Sequence, residues 1–461
     1  MNSMFRALKV YNYRLWVTGA LVSNIGTWMQ RVAQDWLVLT VLTNHSGTAA
    51  GITTGLQFLP IIFLGPFAGL LGDRVNKRKL LLVTQTAMGL CALLLGILVV
   101  TGSVQLWHVY ALALLLGVAS AFDAPSRQAF VSEVVGKGDV PNAVALNSAS
   151  FNLARLAGPG IAGLVIALVG TGPAFLINAA SFAAVIISLW RMRTSELMPA
   201  VRVPRAKGQI REGFRYIRRR PDLLMIMVLV FLVGTFGMNF QITNALMATT
   251  VFHLGPGEYG LLGSVMAIGT LAAALMAARR KNMRMLYIVG GALAFGVTVA
   301  IAAAMPSYFW YAVALVPVGI ASLTFMNACN TTVQLTTDSA MRGRVLAVYM
   351  VVLQGGTPIG APLVGWIATE FGARWSLVLG AVVAVLAGLG ALVLMNRRNN
   401  VRLRDQVRSI HPFLVVSRWH RPEGHQAVHT TDPRVAAGSG PEGAPGRTQA
   451  TGETAPERNA G

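Results

Sequence analysis

Gly69-Leu70-Leu71-Gly72-Asp73-Arg74-Val75-Asn76-Lys77-Arg78-Lys79 separates two long apolar segments. So short a connection makes its neighbours antiparallel hairpin helices, and its cluster of positive charge predicts a turn facing the cytoplasm. Gly65, Gly69 and Gly72 recur at spacings of three and four, so they share a helix face. Small residues on one face predict close approach of a neighbouring helix there.

Composition points the same way. Of 461 residues, 54% are hydrophobic and only 12% charged, with a mean hydropathy of +0.58. That is too apolar for a soluble globular chain and fits a bilayer. The net charge of +21 would suggest nucleic acid in a soluble protein, but the basic residues gather at the ends of apolar segments. The positive-inside rule accounts for them, and no nucleic acid partner is expected. Cys91 and Cys329 lie inside apolar stretches and read as small packing residues.

The first apolar run, Leu15 to Leu42, is about 28 residues long and follows Arg6, Lys9 and Arg14. It is too long for a signal-peptide core and lacks a small-residue cleavage site, so it reads as a retained span. Further spans are predicted near Gly51 to Leu71, Leu80 to Thr101, Trp107 to Phe130, Val140 to Val169 and Pro173 to Trp190. After a basic segment come Leu223 to Thr249, Tyr259 to Ala278, Met285 to Met305, Tyr308 to Val333, Val345 to Thr369 and Trp375 to Met395. The fold class is therefore an all-α integral membrane protein of twelve transmembrane helices in two six-helix halves. The expected division is residues 1–190 for the first half, 191–221 for a basic cytoplasmic linker, 222–396 for the second half and 397–461 for a disordered cytoplasmic tail.

Loop charge tests the parity. Loops assigned inside carry Arg74, Lys77, Arg78, Lys79, Lys137, most of the 191–221 segment, Arg279, Arg280, Lys281, Arg284, Arg342 and Arg344, while those assigned outside carry Arg374. A miscounted span would erase this bias. Both termini are then cytoplasmic, in a multi-pass protein of the plasma membrane. Gly158, Gly163 and Gly170 recur at one offset as Gly360, Gly365 and Gly372, with Pro159 and Pro362 nearby. This suggests that the halves share a packing plan, as duplicated transporter halves do.

These residues resemble a family. Gly69 to Arg78 looks like motif A of the major facilitator superfamily, Gly-x-Leu-Ala-Asp-Arg-x-Gly-Arg-Arg. Gly69, Leu71, Asp73, Arg74 and Arg78 match, and Asn76 replaces a glycine but tolerates left-handed backbone. Gly158-Pro159-Gly160-Ile161-Ala162-Gly163 is similar to motif C, which in that superfamily accompanies antiporters that export their substrates. With Asp123 to Phe130, Phe151 to Arg155 and Arg211 to Tyr216, the chain resembles the enterobactin-exporter and drug:proton antiporter-3 branch. The resemblance implies that Gly69, Asp73, Arg74 and Arg78 form a cytoplasmic gate. Asp73 is expected to face the start of the eleventh span near Arg344, where exposed amides favour an anion. Asp123 and Arg127, one turn apart, are expected within reach of Arg74 and Arg78. Gly158, Pro159 and Gly163 are expected to give a slim, bent helix at the interface of the halves.

Charges in mid-membrane are costly and functional by default. Arg31, Asp35 and Arg155 qualify. Asn24, Thr27, Arg31, Gln34 and Asp35 form a stripe predicted to face a water-filled cavity, and Arg31 and Asp35, at i and i+4, are spaced for an ion pair. Arg155 is a candidate counter-charge to Asp35 or part of an anion-accepting site. Gln34, Asn239, Asn244, Asn327 and Asn330 are candidate substrate-cavity residues, beside Met238, Phe240 and Phe325. Proton coupling is assigned to Asp35, Arg31 and Arg155. In the basic segment, Ile210, Phe214 and Ile217 share a face flanked by arginines, which predicts an interfacial helix on the anionic leaflet.

No Walker A spacing exists, since Gly136-Lys137 lacks the earlier glycine. His411, His420, His425 and His429 sit in the tail without partner thiolates. No catalytic residue, metal or cofactor is expected. The sequence thus predicts a monomeric secondary transporter with three partners: the lipid bilayer, a small amphipathic organic substrate (drug, siderophore or secondary metabolite) and protons. It would export that substrate by proton antiport. A uniporter or importer of the same fold, and a transport-inactive scaffold or sensor, remain the alternatives.

Overall fold

A computed structural model describes residues 3–198, 209–278 and 285–399. Long apolar runs need about 20 residues to cross a hydrocarbon core, and most helices here exceed that. The first half holds α1 (Tyr11–Trp36), α2 (Gly47–Arg74), α3 (Lys77–Val100), α4 (Leu106–Val134), α5 (Val140–Val169) and α6 (Thr171–Arg191). A short amphipathic helix, α7 (Gln209–Arg219), follows. The second half holds α8 (Pro221–Gly237) and α9 (Phe240–Leu246), which share one span, then α10 (Pro256–Ala278), α11 (Met285–Ala304) and α12 (Tyr308–Thr336). It ends with α13 (Arg342–Gly355) and α14 (Thr357–Glu370), again one span, and α15 (Ala373–Asn399). Among the described residues, 11 stretches are long and apolar enough to cross a membrane. The twelfth span is α1, which has 26 residues but dilutes its hydropathy with Asn24, Gln30, Arg31, Gln34 and Asp35.

Each half is a bundle in which α1 meets α5 and α6, α3 meets α4 and α6, and α2 meets α4. In the second half, α8 meets α15, α11 meets α12 and α15, and α10 meets α12. The halves meet mainly through two matched pairs, α2 with α14 and α5 with α10. Five tight turns, at His45, Gly102, Gly170, His253 and Gly372, have positive φ, and all lie at the same end of the molecule. The first span of each half also widens into a π-helical turn at that end, Leu37–Leu42 and Met247–Val251.

At this end the two halves are sealed by backbone. A Cβ on Gly47 would lie 2.6 Å from the Gly365 carbonyl oxygen, and one on Gly51 would collide with the Ala361 carbonyl. Thr48 and Thr369 close the edge, with Thr48 N donating to Thr369 Oγ1 at 3.1 Å. Farther along α2 the contact fades: a Cβ on Gly65 would meet nothing within 4 Å. Of the expected packing face, Gly65 has open space beside it while Gly69 and Gly72 lie outside the described side chains; close approach of α2 to the other half is instead made at Gly47, Gly51 and Gly55. The side chains of residues 69–74, the 279–284 turn and the tail with its histidines lie outside the described residues.

Two spans are broken where they touch. At Met238 and Asn239 the backbone leaves helical geometry, and Asn239 Nδ2 donates to the Thr235 carbonyl at 2.7 Å, satisfying an acceptor that the break frees. A Cβ on Gly356 or Gly360, at the α13–α14 junction, would strike Thr235. Non-helical backbone at membrane depth is tolerated where protein buries it or where it lines a cavity.

Candidate functional site: a cavity between the halves

The cavity, about 240 Å³, lies between α1 and α5 on one side and α9, α10 and α12 on the other. From the first half it is lined by Trp28, Val32, Arg155 and Pro159, and from the second by Met238, Phe240, Gln241, Asn244, Tyr259, Gly263, Met266, Ala267 and Ser322. The α1 stripe does not face it as a unit. Asn24 Oδ1 accepts from Arg127 at 3.5 Å, and the Thr27 hydroxyl donates back to its own helix at the Ser23 carbonyl. Gln30 accepts from the Asn178 amide on α6, so that polar residue serves bundle packing.

Asp35 is 4% exposed, and its Oδ2 accepts from the Tyr259 hydroxyl on α10 at 3.0 Å. Tyr259 also points toward the Gln241 carbonyl at 3.3 Å and stacks on Trp36 with ring centroids 6.3 Å apart. The spacing that permits an Arg31–Asp35 ion pair is not used. Arg31 instead lies over the Trp28 ring, 4.8 Å from its centroid, with Nε buried and lacking a hydrogen-bond partner. Arg155 approaches the same indole, 5.8 Å from its centroid, and forms no ion pair with Asp35. A short α-helical reach explains this: the guanidinium can stack one turn back on Trp28, while Tyr259 already occupies the Asp35 carboxylate.

Motif C residues meet both the first span and the second half. Gly158 leaves room for Trp28, whose Cβ would be 2.5 Å from a Cβ placed there. A Cβ on Gly163 would lie 2.6 Å from the Pro256 carbonyl oxygen. Pro159 lacks an N–H, and next to it a residue from the other half bonds to the α5 backbone. Gly160 N donates to Ser264 Oγ at 3.1 Å, and Ser264 Oγ donates to the Leu156 carbonyl at 2.7 Å. A hydroxyl from α10 thus bridges a backbone donor and acceptor one turn apart on α5. The sequence reading missed Ser264 and Tyr259, whose partners lie in the other half of the chain.

The remaining expected cavity residues divide. Asn244 lines the cavity, and its Oδ1 accepts from Tyr311 at 2.7 Å. Gln34 and Asn239 are buried away from it. Asn327 is half-buried outside its lining, and Asn330 accepts from Gln334 at an exposed position. Phe325 is fully buried in the core against Gly291, so it lines nothing.

Of the expected gate, Gly69, Asp73 and Arg74 lie outside the described side chains, and Asp123, Arg127 and Arg78 make their bonds within the first half. Asp123 Oδ1 accepts from Thr84 at 2.7 Å and from Gln85 at 2.6 Å, while Oδ2 pairs with Arg127 Nε at 2.6 Å. Arg78 does not reach them, because its Nε donates to the Leu189 carbonyl at 2.7 Å and so caps the C-terminus of α6. Lys77 and Glu133, each about a tenth exposed, form an ion pair at 2.5 Å that the sequence reading missed. Removing one partner of such a buried pair costs about 3–5 kcal/mol. Arg344 pairs with Glu212 of α7 at 2.8 Å. On α7, Gly213 and Ile217 are buried, Gly213 lying against the Arg344 backbone of α13, while Phe214 is exposed, so the apolar face is split. The Tyr216 hydroxyl donates to Asp338 at 2.9 Å, and burial together with Asp338 holds it above its ordinary pKa range, so it stays a donor.

Among the described residues, no group of three or more His, Cys, Asp or Glu side chains is placed to hold a metal. Residues 3–430 match the family described as transmembrane secretion effector. The chain belongs to that family, within the major facilitator superfamily. Its members are transporters, not enzymes. The chain is 22% identical over 405 residues to the staphyloferrin A transporter of Staphylococcus aureus, covering 83% of this chain and 95% of that one. It is 26% identical over 392 residues to the multidrug efflux pump Tap of Mycolicibacterium fortuitum, covering 82% and 94%. Among solved structures it is similar to a bacterial homologue of the human lysosomal transporter Spinster, with a TM-score of 0.69, 14% identity, and coverage of 83% and 96%. It is also similar to the nucleoside transporter NupG, with a TM-score of 0.64, 11% identity, and coverage of 86% and 99%. Those two likenesses establish a shared fold.

Proposed function

We propose that this chain exports a small amphipathic organic compound by proton antiport, through alternating access of the cavity between its halves. One observation carries the reading: Asp35 is a buried intramembrane carboxylate bonded to Tyr259 across the interface, beside a cavity lined by both halves. An intramembrane carboxylate facing a bundle interior is the physical form of a proton relay. When Asp35 gains or loses its proton, its bond to the opposite half changes in strength, so proton binding and the fit of the halves are linked. The efflux pumps among the relatives support the outward direction.

The basic end, which carries Arg78, Lys79, Arg342 and Arg344, is assigned to the cytoplasm by the positive-inside rule. The backbone seal then lies on the outer side, and the cavity communicates with the cytoplasm. In this reading the protein is a monomer of the plasma membrane with both termini cytoplasmic. Reporter fusions after Met395 and within 191–221 score cytoplasmic, and one near His45 scores external; a single reversed fusion breaks the orientation. Purified protein in liposomes, challenged with a panel of amphipathic compounds under an imposed pH gradient, shows uphill flux that an ionophore abolishes. Flux indifferent to the gradient identifies a uniporter, and no flux for any compound supports the scaffold alternative.

A further inference from the structure

We propose that the cavity selects amphipathic organic anions, with the substrate's acidic group bound beside Trp28 by Arg155, while Arg31 on the same indole adds positive charge behind it. The inference rests on the cavity being the substrate site of the exporter described above.

The Trp28 indole wall carries two guanidiniums, with Arg31 Cζ 4.8 Å and Arg155 Cζ 5.8 Å from the ring centroid. Stacking satisfies the faces of these cations but not their N–H donors, which lie in the guanidinium plane. Arg31 Nε is buried with no acceptor, and Arg155 has no hydrogen bond or ion pair to any described residue. A buried charged donor left unpaired is costly, so an acceptor is needed at this place.

Among the described residues no charged acceptor is supplied. Asp35 is the carboxylate at this level of α1, and its bond is to Tyr259. Asp123 is committed to Arg127, and Glu133 pairs with Lys77. From the second half the wall presents Met238, Phe240, Gln241, Asn244, Tyr259 and Met266, all uncharged. Among the described residues, Arg155 is the charged residue of the lining and Arg31 stacks on the same indole, so two cations near the cavity are matched by at most one anion, and the place keeps positive charge whether or not Asp35 is ionised.

A guanidinium's planar donor fork matches a carboxylate or sulfonate and repels an ammonium. The rest of the lining is apolar or aromatic, and Phe151, edge-on to Trp28 at 6.0 Å and exposed, extends the aromatic surface out of the cavity. The site thus combines an anion clamp with an apolar berth. Ligand sites of this kind, mostly apolar with few convergent polar groups, fix orientation through those groups.

The test uses one ring system in three charge states, naphthoate, naphthamide and naphthylmethylammonium, in equilibrium dialysis against the full-length protein in detergent, corrected with empty micelles. Naphthoate binds at least about tenfold more tightly than the ammonium. Arg155→Gln brings naphthoate close to the affinity of naphthamide, and an unchanged elution volume in size-exclusion chromatography shows that the variant is folded. Arg155→Lys, keeping the charge, retains most of the preference. Absence of saturable naphthoate binding, an equal or greater affinity for the ammonium, or unaltered naphthoate binding to Arg155→Gln overturns the proposal. Dialysis involves no gradient, so anion preference without pH-driven flux breaks only the antiport reading. Export by a cation-preferring cavity breaks only this inference.

Discussion

Asp35 and Asn244 occupy corresponding places in the two halves. Each lies eight residues before the residue that ends a π-helical turn, Thr43 or Phe252, and each accepts a hydrogen bond from a tyrosine. They differ in two respects. Asp35 can ionise and Asn244 cannot, and Asp35 is bonded to Tyr259 of the other half whereas Asn244 is bonded to Tyr311 of its own. The first half therefore holds the titrating group, and the bond that senses its charge crosses the interface. The second half keeps the same arrangement as a fixed strut. On the proposed antiport reading the duplicated halves do not share the work: one carries the proton, and the other supplies the surface it acts on.

The largest expected effect tests the carboxylate. Asp35→Asn lowers gradient-driven export in proteoliposomes by about a hundredfold or more, to background, because a carboxamide cannot carry the proton. Asn244→Asp, which makes the halves chemically alike, leaves export within about threefold of wild type, a change under 1 kcal/mol. Wild-type pH-dependent export by Asp35→Asn would break the asymmetry and move the coupling site elsewhere.

A double exchange sharpens the point about where the bond runs. Asp35→Asn with Asn244→Asp restores at most about a tenth of the driven flux, since Tyr311 lies in the same half as the transplanted carboxylate and its bond need not be remade when the halves move. Full recovery would show that the position of the carboxylate across the interface is irrelevant. The two tyrosines should divide in the same way. Tyr259→Phe removes a bond to a charged group worth about 1.5–3 kcal/mol, so driven flux falls roughly tenfold or more. Tyr311→Phe removes a neutral bond worth about 1 kcal/mol, lowering the melting temperature in detergent while flux stays within about twofold. Equal losses of flux from both variants would make the tyrosines a matched structural pair.

The smallest effect concerns Ser264, whose hydroxyl bridges Gly160 N and the Leu156 carbonyl on α5 at motif C. In Ser264→Ala, Gly160 N and the Leu156 carbonyl can pair with each other, so stability changes by less than about 1 kcal/mol. What changes is the sealed state, read as an increase of about fivefold or less in labelling of a cysteine placed at Thr48. Unchanged labelling would confine Ser264 to helix packing.

Much of the architecture was legible because it follows from one-dimensional quantities. Apolar length and loop charge gave the spans, and motif A and motif C gave the superfamily. The same reading looked for the packing face of α2 at Gly65, Gly69 and Gly72, and passed over the Gly47-x-x-x-Gly51-x-x-x-Gly55 series that makes the seal. That signal was present, but glycine spacing does not tell which end of a tilted helix has a neighbour. The site was legible in its residues and not in its pairings. Asp35, Arg31, Arg155 and Asn244 stood out as polar groups in apolar helices, yet the Asp35–Tyr259 bond joins positions 224 residues apart. An i, i+4 spacing suggested an ion pair for Arg31, and the indole one turn away won the guanidinium instead.

The seal has a mechanical consequence. Where Gly47, Gly51 and Gly55 face Gly365, Ala361 and Pro358, and where Gly163 faces Gly257, two nearly smooth backbones lie against each other with few side chains interlocked. Interlocked knobs would have to climb out of their holes before either half could turn, and each step would meet a rotamer barrier. Smooth surfaces can roll. On the proposed alternating-access reading, the glycines make this contact a bearing about which the two bundles rock.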